Sequence, residues 1–254
     1  MGVILISPTV KSLKTVQELL YRCDQISGVP FSDLERFSAK PWIGTSTQNK
    51  GWGGKLVERL VGGDAGGRPA ADITNLGVEI KSIPIGADAR VLMPTKIAHI
   101  NYQSLIDQEW WESSAFHKLR AILFVPIVKF DTKTYREWFI RGPFLWLPSE
   151  ACLKQFKSDY DAVRNLVVEG RFDEIHSAEP PVGQGVFLHP KPDARNASVD
   201  NRPIVIAGGV YRPKPKAWML RASFTRQIVL ENLRVSLDMR VRVQEDEGGP
   251  EMGE

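Results

Sequence analysis

The chain has 254 residues, 43% of them hydrophobic and 25% charged, which suits a globular protein of one large domain or two apposed subdomains. No apolar run approaches the roughly 18–20 residues that span a bilayer, and the apolar patch in residues 1–8 lacks a basic flank and a small-residue cleavage site, so no membrane span or signal peptide is expected. The net charge is +3, but residues 244–254 hold five acids and no base, leaving about +8 on residues 1–243, an excess that fits a polyanionic partner.

In chain order, Thr15 to Ile26 reads as an amphipathic helix with Val16, Leu19, Leu20, Cys23 and Ile26 at helical spacing. Thr15 and Glu18 form a candidate capping box, and Gly28 stands where a helix end favours a left-handed residue. Ser32 to Phe37 repeats the Ser-x-x-Glu start on a shorter helix, and residues 44–51 are a polar loop. Trp52 to Leu60 is a third helix with Leu56, Val57, Leu60 and Val61 as its buried stripe; Gly62-Gly63 then leads into a glycine-rich loop. Residues 71–85 read as two strands joined by a turn at Asn75-Leu76-Gly77. Further strands are expected at 91–99, 121–128 and 138–147, with a short helix at 114–119 and a long one from Glu150 to Val168. Pro, Gly, Arg and Lys dominate 179–217, which predicts loops and short ribbons reaching toward a ligand rather than a central strand. A last helix over 222–233 buries Phe224, Ile228 and Val229, and an acidic, disordered tail follows at 244–254. There is no internal repeat. Cys23 and Cys152 lie in apolar-periodic segments and read as buried side chains of a cytoplasmic protein rather than a disulfide pair. The four histidines are too scattered for a zinc site.

Asp72, Glu79 and Lys81 form a D-x6-E-x-K pattern on the paired strands, with Glu58 on the helix just before. On the second strand Val78, Ile80 and Ser82 point one way and Glu79 and Lys81 the other. Converging carboxylates can hold Mg²⁺, and a lysine beside them can neutralise developing charge or position the attacking water. Metal-assisted phosphodiester cleavage needs such a set, although charges alternate on the solvent face of many hairpins.

The run KGWGGKLVERLVGGDAGGRPAADITNLGVEIKSIPI resembles the catalytic region of the MutH family of DNA mismatch-repair endonucleases. FHKLRAILFVPI, HPK at 189–191 and GVYRP at 209–213 continue the resemblance in order, over roughly residues 5–233. It implies an α/β fold in which helices flank a mixed sheet: a restriction-endonuclease-like core with a second arm closing a clamp on DNA. Residues 1–243 would form one domain of two subdomains, a catalytic region around Asp72 to Lys81 and a DNA-recognition arm over about 179–233. Asp72, Glu79 and the Ile80 carbonyl would be metal ligands, with Glu58 joining directly or through water. Lys81 would be the catalytic lysine and Lys118 a second lysine near the scissile phosphate. Lys50 and Gly51 would lie in a DNA-contacting loop, Tyr211 would sense the target adenine and its methylation, and Lys191 would contact DNA.

The implied activity is Mg²⁺-dependent nicking of the unmethylated strand at hemimethylated or unmethylated GATC sites, with Mn²⁺ able to substitute. The implied partner is MutL, with MutS acting through it on an enzyme monomeric by itself. Two positions depart from the family. His189 stands where an arginine takes part in methylation sensing, and it has less reach and only fractional charge. Lys96 replaces an aromatic residue that packs into DNA, and a lysine there suits a phosphate better than a wedge. A GATC-specific type II restriction endonuclease and a noncatalytic DNA-binding module are the competing readings. His117 reads as structural or as a phosphate contact, and Trp110-Trp111 as packing at the rim of a core.

Overall fold

Helix α1 (Val16–Ile26) starts where expected: Thr15 Oγ1 accepts the Glu18 N–H at 3.2 Å. The return arm of the box differs, because the Glu18 carboxylate takes the Lys14 N–H at 2.6 Å instead of that of Thr15. The computed structural model describes residues 13–43, 49, 51–64, 70–130, 134–175, 187–193 and 203–233. Lys50, most of the polar loop, the centre of the glycine-rich loop and the acidic tail lie outside the described residues. Helix α2 (Phe31–Leu34) begins one residue before the predicted Ser32, with Pro30 as its cap and no capping side chain. Phe31 is fully buried there, and its packing places the helix. Helix α3 (Trp52–Val61) buries Trp52, Leu56, Val57, Leu60 and Val61 and ends at Gly62, whose φ of 96° only glycine adopts without strain.

Strand β1 (Glu79–Ile85) pairs in parallel with β3 (Ile122–Val128), and the far edge of β3 pairs antiparallel with β4 (Phe139–Ile140) and β5 (Phe144–Trp146). All of β3 is buried, as expected of a strand covered on both faces. Ile80, Leu123, Val125 and Ile127 pack toward α1 and α3, whereas Ile83, Ile85, Ile122 and Phe124 join the other core. Pro126 is tolerated inside β3 because its missing N–H falls between the segments paired with β5 and β4; its carbonyl accepts the Arg141 N–H at 2.9 Å.

A second sheet has the order β2 (Thr95–His99), β9 (Lys216–Leu220), β6 (Leu188–Pro192), all antiparallel. Strands β7 (Ile204–Ile206) and β8 (Gly209–Tyr211) form a separate ribbon. The long helix α6 (Glu150–Val168) packs on this sheet, with Tyr160 stacked on Trp218 at 5.6 Å. Asp159, also on α6 and 1% exposed, accepts the Phe187 and Leu188 N–H groups at 3.1 and 2.7 Å and so fixes the start of β6. Helices α4 (Tyr102–Asp107) and α5 (Ser114–Leu119) lie between β2 and β3 in the chain, and residues 222–233 form the last helix, α7, with Phe224, Ile228 and Val229 buried as expected.

Several expectations are corrected. Residues 71–73 are no strand: only Ile73 bridges Val78, because the Asp72 carbonyl accepts the Asp64 N–H and its side chain takes a β1 N–H. The strand placed at 91–99 begins at Thr95, with Val91 making a lone bridge to Ile85. The strand at 138–147 divides at Gly142, whose φ of 49° breaks the extended run. Helix α4 was not expected, and β9, which starts inside the Pro- and Lys-rich segment, is a central strand. Trp110 is buried, but Trp111 is 55% exposed. Cys23 is buried, Cys152 is half-buried, and both are free thiols.

Candidate functional site

The alternation of a parallel ladder sorts the groups of β1. Glu79 N–H donates to the Ala121 carbonyl at 3.0 Å and Lys129 N–H to the Ile85 carbonyl at 2.9 Å, so odd-numbered residues direct their backbone groups at β3. Even-numbered residues turn theirs to the open edge: Pro84 accepts the Leu92 N–H at 3.0 Å, and Ile80 N–H donates to Asp72 Oδ2 at 2.9 Å. The Ile80 carbonyl therefore faces the same edge as the Asp72 carboxylate. Asp64, which sequence reasoning passed over, fixes that edge. Its N–H donates to the Asp72 carbonyl at 2.7 Å, and its carboxylate accepts the Thr74 N–H and hydroxyl, both at 3.0 Å. Its grip reaches ten residues along the chain, so no local pattern in the sequence announces it.

Glu79 and Lys81 lie on one face of β1, as expected, but that face is covered, and Glu79 is 1% exposed. Its carboxylate holds two ammonium groups: Lys81 Nζ at 2.6 Å, and Lys118 Nζ, from α5, at 2.9 and 3.0 Å. A carboxylate so desolvated requires such partners. The Asp72 carboxyl is pushed above the usual carboxylate range, first by burial and then by the charge of Glu79; the Ile80 N–H and the two lysines oppose that rise. Glu58, at the exposed rim on α3, is also pushed up, first by partial burial of its carboxyl and then by Asp72.

Glu58, Asp72, Glu79, Lys81 and Lys118 all line one cleft of about 930 Å³ that runs from β1 to β2 and α5. Gly51, His189, Lys191 and Tyr211 are outside its lining. Gly51 caps α3 with φ 84° and has open space where a Cβ would stand. His189 is buried on β6, and Lys191, two residues on, is half-exposed. Tyr211 ends β8 and packs on Phe172 at 5.0 Å, over Gly170, where a Cβ would meet its hydroxyl at 2.6 Å. Exposed His117 also lines the cleft.

Among the described residues, no three His, Cys, Asp or Glu side chains form a ready-made metal cage. The donor set nevertheless suits Mg²⁺, which takes one or two carboxylates and keeps several waters. Asp72, Glu79 and the Ile80 carbonyl supply oxygen donors; burial first, and then neighbouring carboxylates (Glu79 for Asp72, Asp72 for Glu58), raises Asp72 and Glu58, and the charge part of that rise is what a dication relieves.

A family model described as DNA mismatch repair enzyme MutH matches residues 61–159. The DNA mismatch repair protein MutH of Vibrio campbellii is 30% identical over 215 residues, which cover 85% of this chain and 93% of that protein. Its counterpart in Haemophilus influenzae strain PittGG is 31% identical over 216 residues, 85% of this chain and 95% of that one.

The chain belongs to the MutH family.

Membership makes it a DNA mismatch-repair protein of the nuclease class, and the mixed sheet flanked by helices is the family's restriction-endonuclease-like fold. The stretch that matches the MutH model holds Asp72, Glu79, Ile80, Lys81 and Lys118; Glu58, Gly51, His189, Lys191 and Tyr211 lie outside it. No described helix is long and apolar enough to cross a membrane.

Proposed function

We propose that this chain is a Mg²⁺-dependent endonuclease that nicks the unmethylated strand at GATC sites and is activated by MutL. The observation that carries the reading is the convergence on one cleft of Asp72, held by the Ile80 N–H, and of Glu79, held by Lys81 and Lys118. Asp72, Glu79 and the Ile80 carbonyl are the residues that would hold the metal, and Glu58 would join through water. The bound dication would supply charge neutralisation of the attacking and leaving oxygens.

The remaining chemistry belongs to the chain. Two ammonium groups face one buried carboxylate, so one of their charges is left over to set against Asp72 or a phosphodiester. Lys81, 18% exposed, orients the water that attacks phosphorus, and Lys118, on α5, offsets charge as it builds on the phosphate. Glu79 orients both lysines, and Asp64 keeps Asp72 at the strand edge. Gly51 and Lys50 before α3, with Lys191 on β6, contact the DNA backbone. Tyr211 reads the adenine and its methylation, and His189, buried on β6, joins it only once DNA binding uncovers its ring. Tyr211 packs on Phe172, so that role requires it to leave Gly170.

The test is cleavage of a covalently closed plasmid with one GATC site, prepared unmethylated, hemimethylated and fully methylated, with Mg²⁺, with and without MutL. Nicking limited to unmethylated strands, stimulated by MutL and lost in Asp72→Asn and Lys81→Ala, is the expected result. Rapid double-strand cutting without MutL would replace the reading with a restriction enzyme. Binding without cleavage under every condition would leave only a DNA-binding module.

A further inference from the structure

The β2 wall of the same cleft carries a second charged cluster. Lys96 and His99 both line the cleft, yet three positions apart on a regular strand they would project to opposite faces. Strand β2 slips register against β9 between Lys96 and Ala98, and this bulge restores a common face. Lys96 Nζ lies 3.4 Å from both ring nitrogens of His99. Both side chains converge on one carboxylate oxygen, Asp193 Oδ2: Lys96 Nζ at 2.5 Å and His99 Nδ1 at 2.6 Å. Asp193 directly follows β6; its side chain is only 9% exposed, and its N–H donates to the Pro215 carbonyl at 3.0 Å. A fixed, largely buried acid thus sets two nitrogen groups whose own side chains are 35% and 45% exposed.

We infer that Lys96 and His99 form a phosphate-binding pair for the DNA backbone, with Asp193 as the positioning residue that sets them. The pair shares the cleft with the catalytic carboxylates, and a compact ammonium with three N–H groups, one of them accepted by Asp193, suits a phosphate oxygen. The inference rests on the endonuclease reading, which brings duplex DNA into this cleft. A bland alternative is an ion pair that only ties β2 to the end of β6.

Binding of the full chain to a short duplex with one GATC site, in EDTA and across a KCl series, separates the two by fluorescence anisotropy. Lys96→Met keeps the apolar stem and should weaken binding on the order of tenfold, with the slope of log K against log salt shallower by about 0.9, one phosphate contact. Lys96→Arg should keep the slope. Asp193→Asn removes a negative charge, so mere electrostatics predicts tighter binding; a positioning role predicts several-fold weaker binding. An unchanged slope in Lys96→Met, with only a lower Tm, reduces the cluster to a structural tie, and tighter binding by Asp193→Asn overturns the positioning role. A Lys96-dependent slope in a chain that never cleaves DNA would sink the nuclease reading and leave the pair standing. Cleavage by the wild type with an unchanged Lys96→Met slope would do the reverse, and a wild type that does not bind the duplex overturns both.

Discussion

Replacing Asp159 tests whether the start of β6 is held by a single buried carboxylate. Oδ2 of this residue accepts the N–H groups of Phe187 and Leu188, and Oδ1 accepts Gln155 Nε2 at 2.7 Å. Alanine would strand two backbone donors where β6 begins, at about 1–3 kcal/mol each, partly offset because no charge is then desolvated. We expect a net loss of about 3 kcal/mol, which for a chain of this size lowers Tm by about 6–12 °C. Asparagine separates the hydrogen bonds from the charge. Its one amide oxygen has two lone pairs and can accept both N–H groups, while Gln155 can turn its own amide to meet the new NH₂. Asp159→Asn should therefore lose only about 1 kcal/mol. Calorimetry of wild type and both variants is the assay. Equal losses in the two variants, or a loss in Asp159→Ala under about 1 kcal/mol, would refute the reasoning. Because β6 carries His189 and Lys191, the alanine variant should also weaken DNA binding below its melting range, whereas the asparagine variant should not.

Three other expectations follow from the geometry. The Asp72 carboxyl titrates above its ordinary range in the folded chain, so the folded state keeps that proton to higher pH than the unfolded state; the contribution of this group to metal-free stability is fully present below the unfolded value and is lost as pH rises through the folded one. Asp72→Asn removes that dependence and, for a part-exposed group worth less than about 1 kcal/mol, should raise the metal-free Tm at pH 7 by about 1–3 °C while abolishing cleavage; a lower Tm would contradict it. Gly62→Ala forces a side chain into φ 96° with its Cβ 2.5 Å from Arg22 Nη1, so Tm should fall by about 2–8 °C for about 1–2 kcal/mol of strain, and a fall under about 1 °C would show that the turn relaxes freely. Burial pushes the Cys23 thiol up to about 12, so an aromatic disulfide reagent at pH 8 should titrate Cys152 first and reach Cys23 only in denaturant; equal rates would contradict its burial.

What the sequence reveals is local. The 3.6-residue stripes of α1, α3 and α6 and the β-branched run of β3 mark those elements, since each buries a continuous face. Helix α4 escapes because its six residues bury only Tyr102 and Leu105, too few for a period to show. Strand β9 escapes because the Pro-Lys run before it masks Ala217 and Trp218. Glu79 and Lys81 were legible by alternation as sharing a face, but the burial of that face depends on α5, which arrives from 39 residues later to place Lys118 on Glu79. The β2–β9 pairing joins positions more than a hundred residues apart, and the bulge that brings Lys96 to His99 has no local signature.

Strand β1 is also an exposed end of its sheet, and such ends invite a second chain to add a strand. Here the invitation is withdrawn at two points: Asp72 occupies the Ile80 N–H, and Pro84 offers no N–H while Leu92 takes its carbonyl. The proposed metal ligand Asp72 therefore also covers an edge donor that would otherwise be open to a second chain. An inactive control made by Asp72→Ala would uncover the Ile80 donor and gain a route to self-association, whereas Asp72→Asn keeps it covered. Asparagine is the cleaner substitution wherever loss of activity must be told apart from loss of solubility.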